Sequence, residues 1–388
     1  MPTFNCMTAA EAICKVPSLL PPATWALVTN DAARTADGQA SRLALLAAGL
    51  RIRRLFSPEH GIQAIGEDGA AQPDGKDPLT GLPVISLYGD RWAPRPEQIL
   101  DIDAVLFDIP DIGCRFYTYL WTLTHVMEAC AEAGRPLFVA DRPNPIGMIL
   151  ETAEGPGLDE VRCSSFIGRW DIPLKHACTL GELARYFAQT RLPNLELHVI
   201  PVPGLSRGHA SLTDDFHPTS PAMPTLQTAL LYPGLGLLEG VNINEGRGTG
   251  RPFTRFGTPW LDPEALIHEL EGEELAGLQV RPTRFQAMAG PHAGEDCAAL
   301  ELEVTDPGRL LSVRTGIALL RALNLVHSER LEERPYPTVA NPTGMRHLDR
   351  LLGLPGSFAR IRKGSLPPDA FTIAADWKQR MQPFLLYP

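Results

Sequence analysis

The stretch Leu50-Arg51-Ile52-Arg53-Arg54-Leu55-Phe56-Ser57-Pro58-Glu59-His60-Gly61 decides how the chain is read. Residues 41–50, rich in Ala and Leu with Gly49 near the end, have the pattern of a helix. Residues 53–56 then form a strand that breaks off at Pro58, which cannot continue ladder pairing, and Gly61 closes a tight turn. Between them stand a carboxylate and an imidazole, the side chains best suited to proton transfer near neutral pH. A helix and then a strand that stops on acid–base residues is how open α/β sheets build active sites at their carboxyl ends.

Working outward, the same alternation continues. Strands are expected at 25–30, 83–89, 104–109 and 137–141, and helices at 96–100 and 119–133, the latter stopped by Gly134. Ala104-Val105-Leu106-Phe107-Asp108-Ile109 is apolar enough to be covered on both faces. A helix at 180–189 and a strand at 195–202 extend the series. The fold class is therefore α/β, a doubly wound and mainly parallel sheet. His217-Pro218-Thr219-Ser220-Pro221-Ala222-Met223-Pro224 cannot hold regular structure, and a domain boundary is expected there, giving domains 1–222 and 223–388. Beyond it, helices at 262–271 and 309–325 and strands around Val280 and at 298–305 predict a smaller α+β domain. Leu300, Leu302 and Val304 alternate with Glu301, Glu303 and Thr305, as in a sheet with one wet face.

At 388 residues the chain exceeds one ordinary core. A formal net charge of -10 argues against nucleic acid and anionic membrane as partners. Seven Cys is an odd number, with no C-x-x-C and no metal-ligand spacing, so free thiols in a reducing compartment and no metal are expected. No basic n-region precedes a long apolar core, which predicts a cytoplasmic protein without membrane insertion, an upstream start being left open.

Polar clusters fall where this pattern places strand ends: Thr29-Asn30-Asp31, Ser57 to Gly61, Asp108 to Gly113 leading into Arg115-Phe116-Tyr117, and Asp141-Arg142-Pro143-Asn144-Pro145. Each alone also suits a turn or helix cap. Their gathering at one sheet edge points to a ligand site. In the second domain, Glu239 to Gly250 places Glu239, Asn242, Glu245 and Arg247 in a glycine-rich loop. It lacks the phosphate-loop order, and no G-x-G-x-x-G follows the first strand, so no nucleotide cofactor is expected.

Taken in order, these stretches resemble the exo-β-N-acetylmuramidases of the NamZ type. The matching segments include Leu55-Phe56-Ser57-Pro58-Glu59-His60-Gly61, Ser86-Leu87-Tyr88-Gly89, Arg115-Phe116-Tyr117-Thr118-Tyr119, Asp141-Arg142-Pro143-Asn144-Pro145 and Glu245-Gly246-Arg247-Gly248-Thr249. Departures are Pro110 and Cys114, where the family commonly has Gln and Ala, and a loose fit over 63–71 that keeps Asp68 and Gly69. The resemblance implies a Rossmann-like first domain, a cleft between two domains, and release of N-acetylmuramic acid from the non-reducing end of peptidoglycan fragments. Glu59 matches the family's proposed catalytic glutamate and is expected to act as general acid, with His60 orienting it. Glu245 is the expected second carboxylate, with Glu239 and Asp68 as alternatives. Arg247 or Arg115 is expected to hold the lactyl carboxylate. Asn30, Asn144 and Asn242 are expected on sugar hydroxyls, with Asp108 and Tyr117 completing the substrate contacts. The rival reading is a non-catalytic cell-wall saccharide binder that uses the same cleft.

Overall fold

The strands β1 (Thr24–Val28), β2 (Arg51–Ser57), β3 (Gly75–Lys76), β4 (Pro83–Ser86), β5 (Ala104–Phe107), β6 (Leu137–Ala140) and β7 (Leu197–Ile200) form one sheet. Its order is β3-β4-β2-β1-β5-β6-β7. All pairs are parallel except the short edge pair β3–β4. The computed structural model describes residues 7–208, 216–270, 275–372, 374 and 376–388. Cys6 and the end of the helix expected at 262–271 lie outside them.

The period-2 alternation of side chains splits the central strands between two apolar layers. Ala26, Val28, Val105, Phe107, Leu137 and Val139 face one core. Trp25, Leu27, Ala104, Leu106, Phe138 and Ala140 face the other. Both faces are covered, which is why these strands are almost wholly apolar and why the sheet is parallel. The helix Tyr119–Ala133 packs on the first layer and ends at Gly134 in the left-handed region.

The chain runs from β1 outward to β2 and β4, then crosses back to β5 on the other side of β1. Strand order therefore reverses between β1 and β5, the place where open sheets leave a crevice at their carboxyl ends. The loops after β1, β2 and β5 open there.

The second, smaller domain carries an antiparallel sheet, β8 (Arg255–Thr258), β9 (Leu278–Gln286) and β10 (Asp296–Val304), in the order β8-β10-β9. The wet face expected along β10 is only partly wet. Glu301 is nearly buried beneath Arg251 and Arg281, whose guanidinium groups cover it. The helix Ser312–Val326 packs against this half. Its N-terminal amides are capped from the first half: Glu154 accepts from Val313 N at 3.0 Å and Arg314 N at 3.3 Å, and its other oxygen meets Lys175 Nζ at 3.0 Å. Tyr387, near the C-terminus, returns to donate to Asp141 at 2.6 Å. One apolar cluster, from Ala26 to Phe384, runs through both halves. Among the described residues no helix is long and apolar enough to cross a membrane.

Candidate active site

At the carboxyl end of β2, Pro58 ends the ladder and the backbone turns through two left-handed residues, His60 (φ 65°) and Gly61 (φ 71°). That turn carries Glu59 off the sheet and into a cavity lined by residues of both domains. Glu59 Oε1 accepts the amide of Gly69 at 2.7 Å, and the Tyr88 phenol lies beside Glu59. Burial, followed by the Glu59 charge, pushes the Tyr88 phenol well above its ordinary value. His60 Nδ1 lies 2.8 Å from the Gly66 carbonyl, which can only accept, so this nitrogen carries the hydrogen. Its Nε2 faces Asp68 Oδ1 at 3.7 Å.

Gly69 is a close-approach glycine. Its φ is +66°, and a Cβ there would lie 2.5 Å from Thr338 Cγ2. Its carbonyl accepts Val339 N at 2.9 Å. The loop that holds Glu59 is thus tied by its backbone to a loop of the second domain.

The second domain contributes Glu239, Arg247, Tyr336 and His347 to the same cavity. Arg247 binds both Asp68 and Glu239, and its Nε lies 3.2 Å from Glu245 Oε1. Its guanidinium also stacks over Phe253, 5.0 Å from the ring centre. Burial pushes Glu239 and Glu245 above the usual carboxylate range; neighbouring carboxylates add to the rise, and Arg334 opposes it. His347 stacks on Tyr336 with ring centres 4.6 Å apart, and its Nε2 is 3.8 Å from Glu239 Oε2. Burial and the cations Arg350, Arg334 and Arg247 depress its imidazole to about 3, which keeps it neutral.

Of the residues expected from sequence, Glu59, His60, Asp68, Tyr117, Glu239 and Arg247 line the cavity together. Tyr117 donates to Thr219 Oγ1 at 2.6 Å, which anchors the segment between the domains. Glu245 stands behind Arg247, buried and outside the lining. The others are taken up by the fold. Asn30 donates to Tyr119 Oη at 2.9 Å, and Asp108 is held by Arg142 at 2.7 Å and by Ser41. Arg115 spends its guanidinium on the carbonyls of Pro156, Ile172 and Leu351. Asn144 bonds Cys178 O and Ile146 N, and Asn242 ties to Arg330 O and Glu332 N. None of these five lines the cavity. Polar residues at strand ends serve turns and caps as readily as ligands, and these do the former. Tyr88, Tyr336, Thr338 and His347 line the cavity and were not picked out. Tyr88 lies inside the strand expected at 83–89; Tyr336 and Thr338 sit in an irregular Pro-rich segment, and His347 opens a short helix, His347–Leu352, with no spacing signal.

The family model described as exo-beta-N-acetylmuramidase NamZ, N-terminal, matches residues 25–227. The corresponding C-terminal model matches residues 230–387. The peptidoglycan beta-N-acetylmuramidase NamZ of Bacillus subtilis (strain 168) is 38% identical over 290 residues, 73% of this chain and 68% of its own length. Two crystal structures of DUF1343 family proteins from Bacteroides fragilis NCTC 9343 share the fold. One has a TM-score of 0.86 at 26% identity over 100% of both chains; the other has 0.75 at 25% over 98% of both. With both halves matched and the Glu59 turn opening into a cavity between them, the chain belongs to the exo-β-N-acetylmuramidase NamZ family.

Proposed function

We propose that this protein is an exo-acting glycosidase that releases N-acetylmuramic acid from the non-reducing end of peptidoglycan fragments, cutting a β-1,4 bond to N-acetylglucosamine. The observation that carries this reading is a cavity lined by both Glu59 of the first domain and Glu239 of the second. Glycoside hydrolysis needs an acid on the leaving oxygen and a second group to support an oxocarbenium-like transition state. Glu59 is assigned the first role. Glu239 replaces Glu245 in the second, because Glu239 reaches the cavity and Glu245 does not.

The acid role also needs a proton at working pH. Four carboxyls, Glu59, Asp68, Glu239 and Glu245, gather around Arg247. Ionising all of them in a buried cluster is opposed by desolvation and by mutual repulsion. Glu239 and Glu245, raised by burial, therefore hold a proton at a pH where a carboxyl in open water would have lost it.

One observation favours exchanged roles. Burial favours the protonated form of Glu239, while Glu59 accepts the Gly69 amide at 2.7 Å. In that version Glu239 donates the proton and Glu59 acts as base or nucleophile. Both versions give the same products.

The test is incubation with MurNAc-GlcNAc, followed by mass spectrometry and proton NMR. Equimolar MurNAc and GlcNAc are expected. Saccharide binding without release of free sugars would favour the non-catalytic binder instead.

A further inference from the structure

Of the arginines weighed for the cavity, Arg247 and Arg350 line it and Arg115 does not. Arg115 is fully buried and donates to three carbonyls. Arg247 is enclosed by Asp68, Glu239 and Glu245. The third, Arg350, lies on the short helix His347–Leu352, lines the cavity and is half-buried. Among the described residues its guanidinium has no carboxylate within ion-pairing distance. The nearest acid in sequence, Asp349, is engaged twice: Oδ2 by Arg346 Nε at 3.2 Å and Oδ1 by Ser357 N at 2.7 Å.

Arg350 also stands one helical turn beyond His347, on the same face, where neighbours have Cβ atoms roughly 5–6 Å apart. His347 is the residue that meets Glu239. An unpaired cation thus lines the same cavity as the acid cluster, one helical turn from the histidine that meets Glu239. The same cavity is lined by the apolar side chains of Leu351, Phe116, Met223 and Ile167. A ligand suited to this corner carries a carboxylate beside a small apolar group.

We infer that Arg350 is the specificity residue that binds the lactyl carboxylate of the terminal sugar, the group that distinguishes muramic acid from glucosamine. This rests on the muramidase reading and takes the place of the expectation that Arg247 or Arg115 would do so. The lactyl methyl packs on the apolar side chains, and the planar guanidinium grips both carboxylate oxygens. Arg247 is left to organise the acids.

The experiment compares hydrolysis of 4-nitrophenyl β-MurNAc and 4-nitrophenyl β-GlcNAc by the wild type, Arg350→Gln and Arg350→Lys. The ratio of kcat/KM between the two substrates is read on each protein, so a partly unfolded sample does not distort it. The wild type is expected to favour the MurNAc glycoside. Arg350→Gln is expected to lower that ratio by roughly 10- to 100-fold, the usual loss for a charge-assisted contact. Arg350→Lys keeps the charge without the fork and falls between them. A ratio unchanged in Arg350→Gln overturns the inference while leaving the muramidase reading intact. NMR titration with free MurNAc and free GlcNAc gives a readout that needs no turnover. If the wild type hydrolyses neither glycoside yet prefers MurNAc, and Arg350→Gln abolishes the preference, the inference stands and the hydrolytic reading fails.

Discussion

The amide of Gly69 donates to Glu59 Oε1 at 2.7 Å while the Gly69 carbonyl accepts from Val339 at 2.9 Å, so one residue joins the central carboxyl to the opposite domain. The relationship makes the placement of Glu59 depend on how closely the two domains approach. It also explains why only glycine fits, since a side chain at this φ would meet Thr338.

Gly69→Ala tests this directly. The left-handed backbone alone costs about 1–2 kcal/mol for a residue with a Cβ, and the Thr338 contact forces the loops apart. Turnover is expected to fall by roughly 10²-fold, as small misplacements of a reacting group do. Steady-state kinetics with a MurNAc glycoside and a thermal melt check it; unchanged kcat at lowered stability would detach Gly69 from catalysis.

Glu154→Gln should destabilise the fold without touching the cavity. It leaves Lys175 buried without a counter-charge and weakens the cap on the helix Ser312–Val326. Removing one partner of a buried pair costs about 3–5 kcal/mol. Urea unfolding should show a lower midpoint, while kcat of the folded enzyme stays near the wild-type value.

Asp141 links the C-terminus to pH. Burial, partly opposed by the Tyr387 and Thr179 hydroxyls, raises its carboxyl to about 6. A raised carboxyl binds more protons when folded, so its contribution is complete below the ordinary value of 3.8 and is lost as pH rises through about 6. Tyr387→Phe removes a donor to the ionised form. The variant should therefore lose more stability at pH 8 than at pH 4, read from denaturant midpoints at both. Equal losses would mean that the hydroxyl matters only for packing.

Glu239 has the same sign. Its carboxyl is raised above its ordinary value of 4.5, so the stability tied to its proton is present in acid and declines as pH climbs towards and past neutrality. Glu239→Gln, neutral at every pH, should flatten that decline in thermal melts collected between pH 4.5 and 8. A slope identical to the wild type would show that Glu239 is already ionised throughout.

Much of the first domain could be read from residues alone because its strands are buried on both faces, and an apolar run such as Ala104–Phe107 has few other homes. The second domain was harder. β9 contains Pro282 and exposed arginines, and it is tolerated because it is an edge strand. β8 is short and follows a glycine-rich loop, and the helix Leu226–Leu235 holds Pro233. The Ser-Pro-Glu-His-Gly turn announced itself by residue type. Tyr336, Thr338 and His347 did not, because long-range packing brings their segment against Gly69 and no local pattern encodes that meeting. Asn30, Asp108, Asn144 and Asn242 have the chemistry of ligands, but the backbone and its neighbouring side chains claimed their hydrogen bonds first.

The most direct measurement is the turnover of Glu59→Gln on two substrates, MurNAc-GlcNAc and 2,4-dinitrophenyl β-MurNAc, whose leaving group departs without a proton. With Glu59 as general acid, the variant loses about 10² or more on the disaccharide and far less on the activated glycoside. Near-normal cleavage of the disaccharide, or an equal loss on both, would contradict the assignment.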